Sequence, residues 1–331
     1  MSNPFQRLLQ VSEVIGKNHM LVQATGGNTS LKQGNIMWVK ASGTSLECAR
    51  SDQIFIPLGI KETLLSMKLE RDQACVEDSS GKSLRPSIEA TLHAVMPHSV
   101  VLHTHPVDVI AISMLPCAPD LLARYLTDIP WHYIPYQRPG IPLAIEIAKA
   151  LSERPADVFI LANHGLVVGG ISPESAFALQ TLVTTRLQRE SRSYINPDYP
   201  NLLNIISNID GAYMPSFDII HSLAVDPWSL ELAQLNPAYP DHVVFCEVHP
   251  WIMDSSSKVP GIDTKYGFIP GVGVFMLPAA TAATEAMLRA QAEVLLRIPR
   301  GEVVNLLTAH QCDELLNWDA EKYRQDLYKS F

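Results

Sequence analysis

Segment 100–106, VVLHTHP, is an apolar run that predicts a β-strand and ends in two histidines one residue apart. Successive side chains of a strand point to opposite faces, so His103 and His105 are expected on the same face as near neighbours. This geometry suits a metal chelate, although an ordinary surface pair is the commoner meaning of such a pattern. Because a catalytic zinc site usually has three protein ligands and one open position, a metal site would require a third ligand elsewhere.

His164 is the candidate third ligand. It follows the apolar run 158–161, VFIL, which predicts a second strand, and it directly precedes Gly165. The end of a strand followed by glycine is a usual place for a functional side chain. The third histidine therefore raises the expectation of a metal site above what the first two support alone.

Composition limits the classes of function. The 331 residues are 47% hydrophobic, which is ample for one large or two medium domains. The net charge of −9 argues against nucleic acid or an anionic membrane as a partner. The five cysteines form no CxxC pair, which disfavours a disulfide framework and a thiolate zinc site. Since no run of 18 uncharged apolar residues occurs, a cytoplasmic protein is expected.

Two turn-rich corners flank a predicted hairpin near the N-terminus. The corners are 25–30 (TGGNTS) and 42–45 (SGTS), and the strands between them are 30–32 and 36–41. Such corners expose backbone N–H groups that bind phosphate oxygens, and Lys40 stands beside the second one, but ordinary turns are the alternative. Neither corner matches a P-loop or a dinucleotide fingerprint, so no nucleotide cofactor is expected.

A helix is predicted directly before the strand at 100–106. The sequence RPSIEATLHAVM at 85–96 has Ser87 as a good N-cap and Glu89 in the first turn, where an acidic side chain also complements the helix dipole. His93 lies four residues further along the same face and is interpreted as a helper or a core histidine. Packed against the strand, this helix can aim Glu89 at the metal.

The sequence of the C-terminal part carries fewer signals. Apolar runs at 242–246 and 267–277 predict strands, and the patterns at 281–298 and 312–328 predict helices. The segment PGVGVF, followed by a helix, echoes the NHGLVV segment around His164, but it has no histidine. One interpretation is a degenerate half-copy that forms a second, non-catalytic lobe.

Taken together, the motifs GGNTS, VKASGTS, RPSIEATLH, VVLHTHP and ANHGLVV resemble, in this order, the class II aldolase/adducin family across residues 5–195. The joint order is far more specific than any single motif. Within the family, the sequence is most similar to the aldolase portion of bifunctional rhamnulose-1-phosphate aldolase/dehydrogenases, a similarity that residues 314–324 share. These 331 residues are expected to hold no dehydrogenase domain.

The resemblance implies an α/β fold in two parts. Residues 1–195 would form the zinc domain, a three-layer α/β/α sandwich with a largely antiparallel central sheet. Residues 196–331 would form a C-terminal α/β extension of unclear role, which is the candidate second lobe.

The resemblance also implies roles for residues at matching positions. His103, His105 and His164 correspond to the zinc ligands, and Glu89 corresponds to the acid/base that sits over the metal. The positions that hold the substrate phosphate in sugar-phosphate members are Asn28, Ser42, Gly43 and Ser87.

One position departs from the family pattern. Where phosphate-specific members have two serines before the glutamate, this chain has Ser87 and then Ile88, so an apolar side chain replaces one phosphate donor. A non-phosphorylated or carboxylate-bearing substrate is therefore also open, with Arg85 and Lys40 as candidate anion partners.

The function implied by the resemblance is that of a zinc-dependent, aldolase-type lyase. It would cleave a small ketose or ketose 1-phosphate to dihydroxyacetone (phosphate) and an aldehyde through a metal-stabilised enediolate, and other divalent metals are alternatives to zinc. The expected partners are the sugar or sugar-phosphate substrate and further copies of the chain, as a dimer or tetramer.

Other functions stay open because one scaffold hosts several chemistries. A dehydratase, a decarboxylase or an epimerase would use the same metal site, and an adducin-like binding module would use none. Glu89 argues for an aldolase, since the epimerases carry Asp at this position. The retention of all three histidines argues against the binding module.

Overall fold

The computed structural model describes residues 3–71, 76–77, 83–253 and 261–329, and the chain forms two compact units. Unit 1 comprises Met1–Ser113 and Cys117–Gln188, and unit 2 comprises Met114–Pro116 and Arg189–Phe331. The division of function between 1–195 and 196–331 stays a proposal.

Unit 1 combines helices with one large sheet. Its described helices are α1 (Pro4–Gly16), α2 (Ile60–Lys68), α3 (Ala90–Val95), α4 (Val107–Ser113), α5 (Ala118–Tyr125), α6 (Ile141–Glu153) and α7 (Pro173–Arg186). Its described strands are β1 (Asn28–Gln33), β2 (Ile36–Lys40), β3 (Phe55–Gly59), β4 (Val76–Glu77), β5 (Ser83–Leu84), β6 (Val100–Thr104), β7 (Trp131–Ile134), β8 (Val158–Leu161) and β9 (Gly165–Gly170).

The sheet of unit 1 has seven strands in the order β3-β2-β1-β6-β9-β8-β7. All neighbours are antiparallel except β7 and β8, which run parallel. The predicted, largely antiparallel central sheet is therefore confirmed. Strand β6, which carries His103 and is followed directly by His105, lies in the middle of the sheet, and all five of its residues are buried.

Side chains of β6 alternate between two helical layers. Val101 packs with Leu92 of α3 and with α6 on one face, whereas Val100 and Leu102 pack with α1 and α7 on the other. Helices cover both faces, which confirms the predicted three-layer α/β/α sandwich. Full burial of one valine or leucine stabilises the fold by about 1.5–3 kcal/mol. A histidine in such a strand is costly unless its polar atoms have partners, so His103 calls for a specific environment.

Unit 2 contains a smaller, three-stranded sheet. Its described strands are β10 (Trp251–Ile252), β11 (Tyr266–Ile269) and β12 (Gly273–Met276). Its described helices are α8 (Tyr199–Ile206), α9 (Ser222–Val225), α10 (Pro227–Ala233), α11 (Pro240–Phe245), α12 (Ala282–Leu296), α13 (Ala309–Leu316) and α14 (Asp319–Lys329). Strand β10 runs parallel to β11, and β11 runs antiparallel to β12.

Three predictions for the C-terminal part are wrong in detail. The predicted strand at 242–246 is helix α11, which begins with Pro240. All of its residues are buried, so apolar and polar residues do not alternate with the period of either a helix or a strand, and the sequence pattern could not distinguish the two. The predicted strand at 267–277 is the hairpin of β11 and β12. The predicted helix at 312–328 is two helices, which are interrupted after Leu316.

Two further observations concern the remaining segments. Residues 72–84 are a polar segment whose sequence predicts a loop, and they lie outside the described residues except for the short paired strands β4 and β5. In the part of the chain that the structure describes, no helix is long and apolar enough to cross a membrane.

Candidate metal centre

The three histidines converge at the end of β6. His103, His105 and His164 are buried, and each offers a ring nitrogen such that these atoms all lie within 4.8 Å of one another. The Nε2 atoms of His103 and His105 are 3.1 Å apart, as expected for side chains that leave one strand on the same face. The cluster has the composition and compactness of a three-histidine metal site.

The β8–β9 hairpin presents His164. Asn163, in the middle of its three-residue loop, has a left-handed backbone conformation with φ of 53°, which asparagine tolerates better than most residues. Its N–H donates to the Ser113 hydroxyl at 3.1 Å. Gly165 follows because a Cβ at this position would lie 2.3 Å from the carbonyl oxygen of Thr104. The loop therefore brings His164 close to the end of β6.

The tautomer of His103 suits metal binding. Its Nδ1–H donates to the backbone carbonyl of Leu166 at 3.0 Å, so the lone pair of the neutral ring is on Nε2. The Nε2 atom of His103 lies 3.1 Å from Nε2 of His105 and also 3.1 Å from the Oε2 atom of Glu89. Lone pairs and a carboxylate this close require a proton or a cation among them. A divalent cation meets this requirement, and the donor atoms thus fit a metal.

Glu89 faces the histidines from the N-cap position of α3. Its Oε1 atom lies 3.6 Å from Nε2 of His164 and accepts no hydrogen bond within the described residues. Burial by itself raises the pKa of Glu89, but a proton on the rings of His103 and His164, or a cation held in its place, together with the hydrogen bond from Asn28, outweighs burial and holds the pKa well below its usual range. Glu89 is therefore poised as an anion beside the cluster.

Asn28 is joined to this cluster by the sheet. The register of β1 and β6 places Asn28 opposite His103, and the Asn28 Nδ2 group donates to Oε2 of Glu89 at 3.0 Å. The side chain predicted to hold a phosphate is thus in contact with the predicted acid/base.

The other residues predicted to bind a phosphate, Ser42, Gly43 and Ser87, lie on two adjoining segments. An isolated bridge pairs Ala41 with Pro86, and the Ser42 N–H donates to the Arg85 carbonyl at 2.8 Å. Gly43, which has a φ of 75°, forms the turn after this bridge. The Ser87 hydroxyl accepts the Glu89 N–H at 3.3 Å.

Two details of this region differ from the expectation. Helix α3 has Glu89, rather than Ser87, at its N-cap position, because residues 87–90 form a turn in which the Ala90 N–H donates to the Ser87 carbonyl at 3.0 Å, and the helix begins only after it. Lys40 is buried, and its ammonium group donates to the carbonyls of Thr25 at 3.0 Å and of Thr44 at 2.7 Å. It therefore joins the two turn-rich corners.

Comparison with known proteins agrees with this architecture. Residues 6–189 match the model of the class II aldolase and adducin N-terminal domain, which is more than half of the chain. The chain belongs to this family. The three clustered histidines and Glu89 all lie inside the matched region.

Individual relatives cover different shares of the chain. An uncharacterized oxidoreductase, YuxG of Bacillus subtilis (strain 168), is 31% identical over 215 residues, 58% of this chain but only 29% of that protein. An L-fuculose phosphate aldolase of Methanococcus vannielii is 27% identical over 185 residues, 51% of this chain and 88% of that protein. Among solved structures, the N-terminal class II aldolase domain of a Thermoplasma acidophilum protein has 25% identity and a TM-score of 0.47, covering 56% of this chain and 93% of that one.

Two features of the site were not predicted from the sequence. The hydroxyl of Ser30 bonds to His93, and the carbonyl of Leu166 bonds to His103. Alternation along β1 puts Ser30 on the face of Asn28, and this pattern could have drawn attention to it. Its partner depends on the register between strands, which the sequence does not encode locally.

Proposed function

We propose that the protein is a zinc-dependent class II aldolase that cleaves a small ketose or ketose 1-phosphate to dihydroxyacetone (phosphate) and an aldehyde. The observation that carries the proposal is the convergence of three buried imidazoles with one buried carboxylate. Family membership and the similarity to a protein named L-fuculose phosphate aldolase support this chemistry.

His103, His105 and His164 would hold the metal. Bound there, a divalent ion supplies Lewis-acid polarisation of the carbonyl and adjacent hydroxyl of the sugar. The hydrogen bond from His103 Nδ1 to Leu166 fixes the ring orientation and keeps Nε2 available as a donor atom. Burial of all three rings limits the access of water to the site.

Glu89 would move the proton that the reaction requires. Cleavage breaks one carbon–carbon bond, the electron pair stays with the three-carbon fragment, and a carbonyl forms on the other fragment. The substrate hydroxyl that becomes the aldehyde carbonyl loses one proton, and the three-carbon fragment gains one proton on the carbon of the broken bond. The Oε1 atom of Glu89, which accepts no hydrogen bond within the described residues, is the proposed carrier of one of these protons.

Substrate anchoring is assigned to the adjoining corners. We propose that Asn28, Ser42, Gly43 and Ser87 contact the phosphate or its replacement. The buried ammonium group of Lys40 adds positive potential to the same region. Ile88 provides no hydrogen bond, so a ketose without phosphate is included among the candidate substrates.

Assembly, location and domain roles complete the proposal. The active enzyme is proposed to be a cytoplasmic homo-oligomer, a dimer or tetramer. Residues 1–195 carry the reaction, and 196–331 are a non-catalytic extension.

The test combines metal analysis with substrate cleavage. The protein is stripped with a chelator, reloaded separately with zinc, manganese, iron or cobalt, and assayed on L-fuculose 1-phosphate, L-rhamnulose 1-phosphate and the free ketoses. We expect about one metal per chain and release of dihydroxyacetone (phosphate). Glu89→Gln should lose activity by about 100- to 10,000-fold while retaining metal, and His249→Ala, at an exposed histidine, is the matched control.

The same reactions distinguish the alternatives. Carbon dioxide release would indicate a decarboxylase, loss of water a dehydratase, and an inverted sugar an epimerase. Any of these products without an aldehyde would overturn the aldolase proposal. A protein that takes up none of the metals would overturn the metal site itself.

A further inference from the structure

A buried chain of hydrogen bonds runs behind the carboxylate of Glu89. The Ser30 hydroxyl lies 2.7 Å from Nδ1 of His93, Nε2 of His93 bonds to Oδ1 of Asn28, and Nδ2 of Asn28 donates to Oε2 of Glu89 at 3.0 Å. Ser30 and His93 are fully buried, and the other two side chains are nearly so. Four side chains from β1 and α3 therefore form one continuous polar path.

The direction of every bond in this chain is fixed by chemistry. The Glu89 carboxylate only accepts, so Asn28 must direct its NH2 group at Glu89 and its oxygen at His93. His93 must then carry its proton on Nε2, and its Nδ1 accepts the hydrogen of the Ser30 hydroxyl. A reversed amide would oppose its oxygen to the carboxylate, which a buried site does not tolerate.

We propose that His93 is a positioning residue that acts through Asn28 to hold the carboxylate of Glu89 in one orientation. The bond from Asn28 engages Oε2, and Oε1 is left to face His164 and the substrate space. This inference rests on the proposed function, because it assigns to His93 and Ser30 a part in orienting the acid/base. Asn28 then serves the acid/base group in addition to its proposed contact with substrate.

The state of His93 agrees with this role. Burial lowers the pKa of His93 to about 3. The ring is neutral at physiological pH, so it has one donor and one acceptor nitrogen, as the chain requires. Since a partner that orients a functional group is worth about 10- to 100-fold in activity or metal affinity in comparable sites, its loss is measurable.

Three variants separate positioning from packing. His93→Leu removes the donor to Asn28, and His93→Gln restores a side-chain NH2 group near the position of Nε2. Ser30→Ala removes only the hydroxyl that fixes the tautomer. Ser12→Ala is the matched control. Ser12 is also fully buried, and its hydroxyl lies 2.7 Å from that of Thr29, which is on the face of β1 opposite to Asn28 and Ser30.

The experiment uses the full-length protein loaded with zinc for kinetics and with cobalt for its visible spectrum. We expect His93→Leu to lower kcat about 10- to 100-fold with little change in KM and with metal content retained. His93→Gln should recover most of this loss, Ser30→Ala should show a smaller loss, and Ser12→Ala should behave as wild type. The cobalt spectrum should shift in His93→Leu and return in His93→Gln, and nitrogen NMR should report the Nε2–H tautomer of His93 in the wild type.

Several results would overturn the inference. These are a wild-type kcat and cobalt spectrum in His93→Leu, an Nδ1–H tautomer, or a loss of activity that follows metal loss in proportion. If the wild-type protein binds cobalt but cleaves no ketose, the proposed function fails. The spectrum and the tautomer then still decide the inference, and Ser30→Ala still tests it if His93→Leu does not fold.

Discussion

Units 1 and 2 each contain the same arrangement of three strands and a helix, and they differ in the side chains it carries. In both, a strand that begins with tryptophan runs parallel to the first strand of a hairpin, β8–β9 in one and β11–β12 in the other. Both hairpin loops span three residues, with Asn163 or Gly271 in the middle in a left-handed conformation. A helix with a capping box follows each, starting after Ser172 or Thr281.

The difference lies in the third loop residue and in what adjoins the hairpin. Unit 1 has His164 there and unit 2 has Val272. In unit 1, β6 pairs with β9 and brings the HxH pair, and His103 bonds to the carbonyl of Leu166. In unit 2, the buried His221 instead accepts the N–H of Val274 on β12. The shared frame is therefore a scaffold, and the proposed chemistry depends on side chains that, within the described residues, unit 1 alone brings together.

The buried charges of the two units differ as well. In unit 2, Arg324 binds both Asp241 and Glu321, each at 2.9 Å, so buried carboxylates have a cationic side chain beside them. In unit 1, Glu89 has imidazoles and an amide for neighbours. The first pattern is typical of structural ion pairs and the second of a functional site.

The substitution His164→Val gives the hairpin of unit 1 the residue of unit 2 and should have the largest effect. Removal of one of three nitrogen donors should abolish stable metal binding and reduce activity by more than about 100-fold, while the fold persists. Elemental analysis and circular dichroism check this. Retention of a full equivalent of metal would contradict the assignment of His164.

The second prediction concerns the ion cluster of unit 2. Arg324→Ala leaves two buried carboxylates without their cation and should lower the free energy of unfolding by about 3–5 kcal/mol, with metal content unchanged. Urea denaturation measures the change. Lys322→Ala, on the same helix, breaks an exposed 3.7 Å pair with Asp319 and should cost less than about 1 kcal/mol.

The third prediction is a dependence on pH. Burial, with the Lys265 charge as a further cause, lowers the pKa of His242 from 6.5 to about 4. Between these values the unfolded chain binds a proton that the folded chain does not, so stability falls as pH falls, by about 3 kcal/mol from this group.

His242→Leu should remove this part of the acid sensitivity. Denaturant titrations at pH 7, 6, 5 and 4 compare the free energy of unfolding of this variant with that of the wild type. A pKa difference of one unit between the folded and unfolded chain corresponds to roughly 1.4 kcal/mol. His249→Leu changes an exposed histidine of the same unit and should leave the wild-type slope in place. An unchanged slope in His242→Leu would show that another group is responsible.

A smaller effect is expected at Gly271, the middle residue of the loop between β11 and β12. Gly271 has a φ of 74° and no atom within 4 Å of an added Cβ, so a substitution there reports the backbone alone. Gly271→Val should cost about 1–2 kcal/mol, and Gly271→Asn, which copies the residue at Asn163, should cost clearly less. Equal costs in urea denaturation would show that the two loops do not share a conformational requirement.

The smallest effect is expected from Val272→His, which gives unit 2 the residue of unit 1. We expect no second equivalent of metal by elemental analysis, because a single histidine without the HxH strand does not form a site. Binding of a second metal would show that the loop residue alone separates the units.

Local patterns predicted the main parts of the fold and of the candidate site. Period-two alternation placed His103 and His105 on one face, and their Nε2 atoms are 3.1 Å apart. The strand at 158–161 has the predicted bounds. These features follow from short-range sterics and from apolar runs long enough to read.

Features that depend on tertiary pairing could not be read in this way. The bonds of Lys40 to two carbonyls, and those of His93 to Ser30 and Asn28, require the register of separate segments. The helix at Pro240–Phe245 was predicted as a strand because a short, fully buried apolar run has the same appearance in both structures.

The pairing of β1 with β6 also bears on the order of folding. Asn28 and His103 are directly opposite, yet the chain between them forms two further strands of the sheet and helices α2 and α3. Closure of so long a loop costs chain entropy before its contacts form, and contacts of this kind are made late. We therefore expect the histidine cluster to assemble last in unit 1, so that metal uptake follows the completed sheet instead of nucleating it.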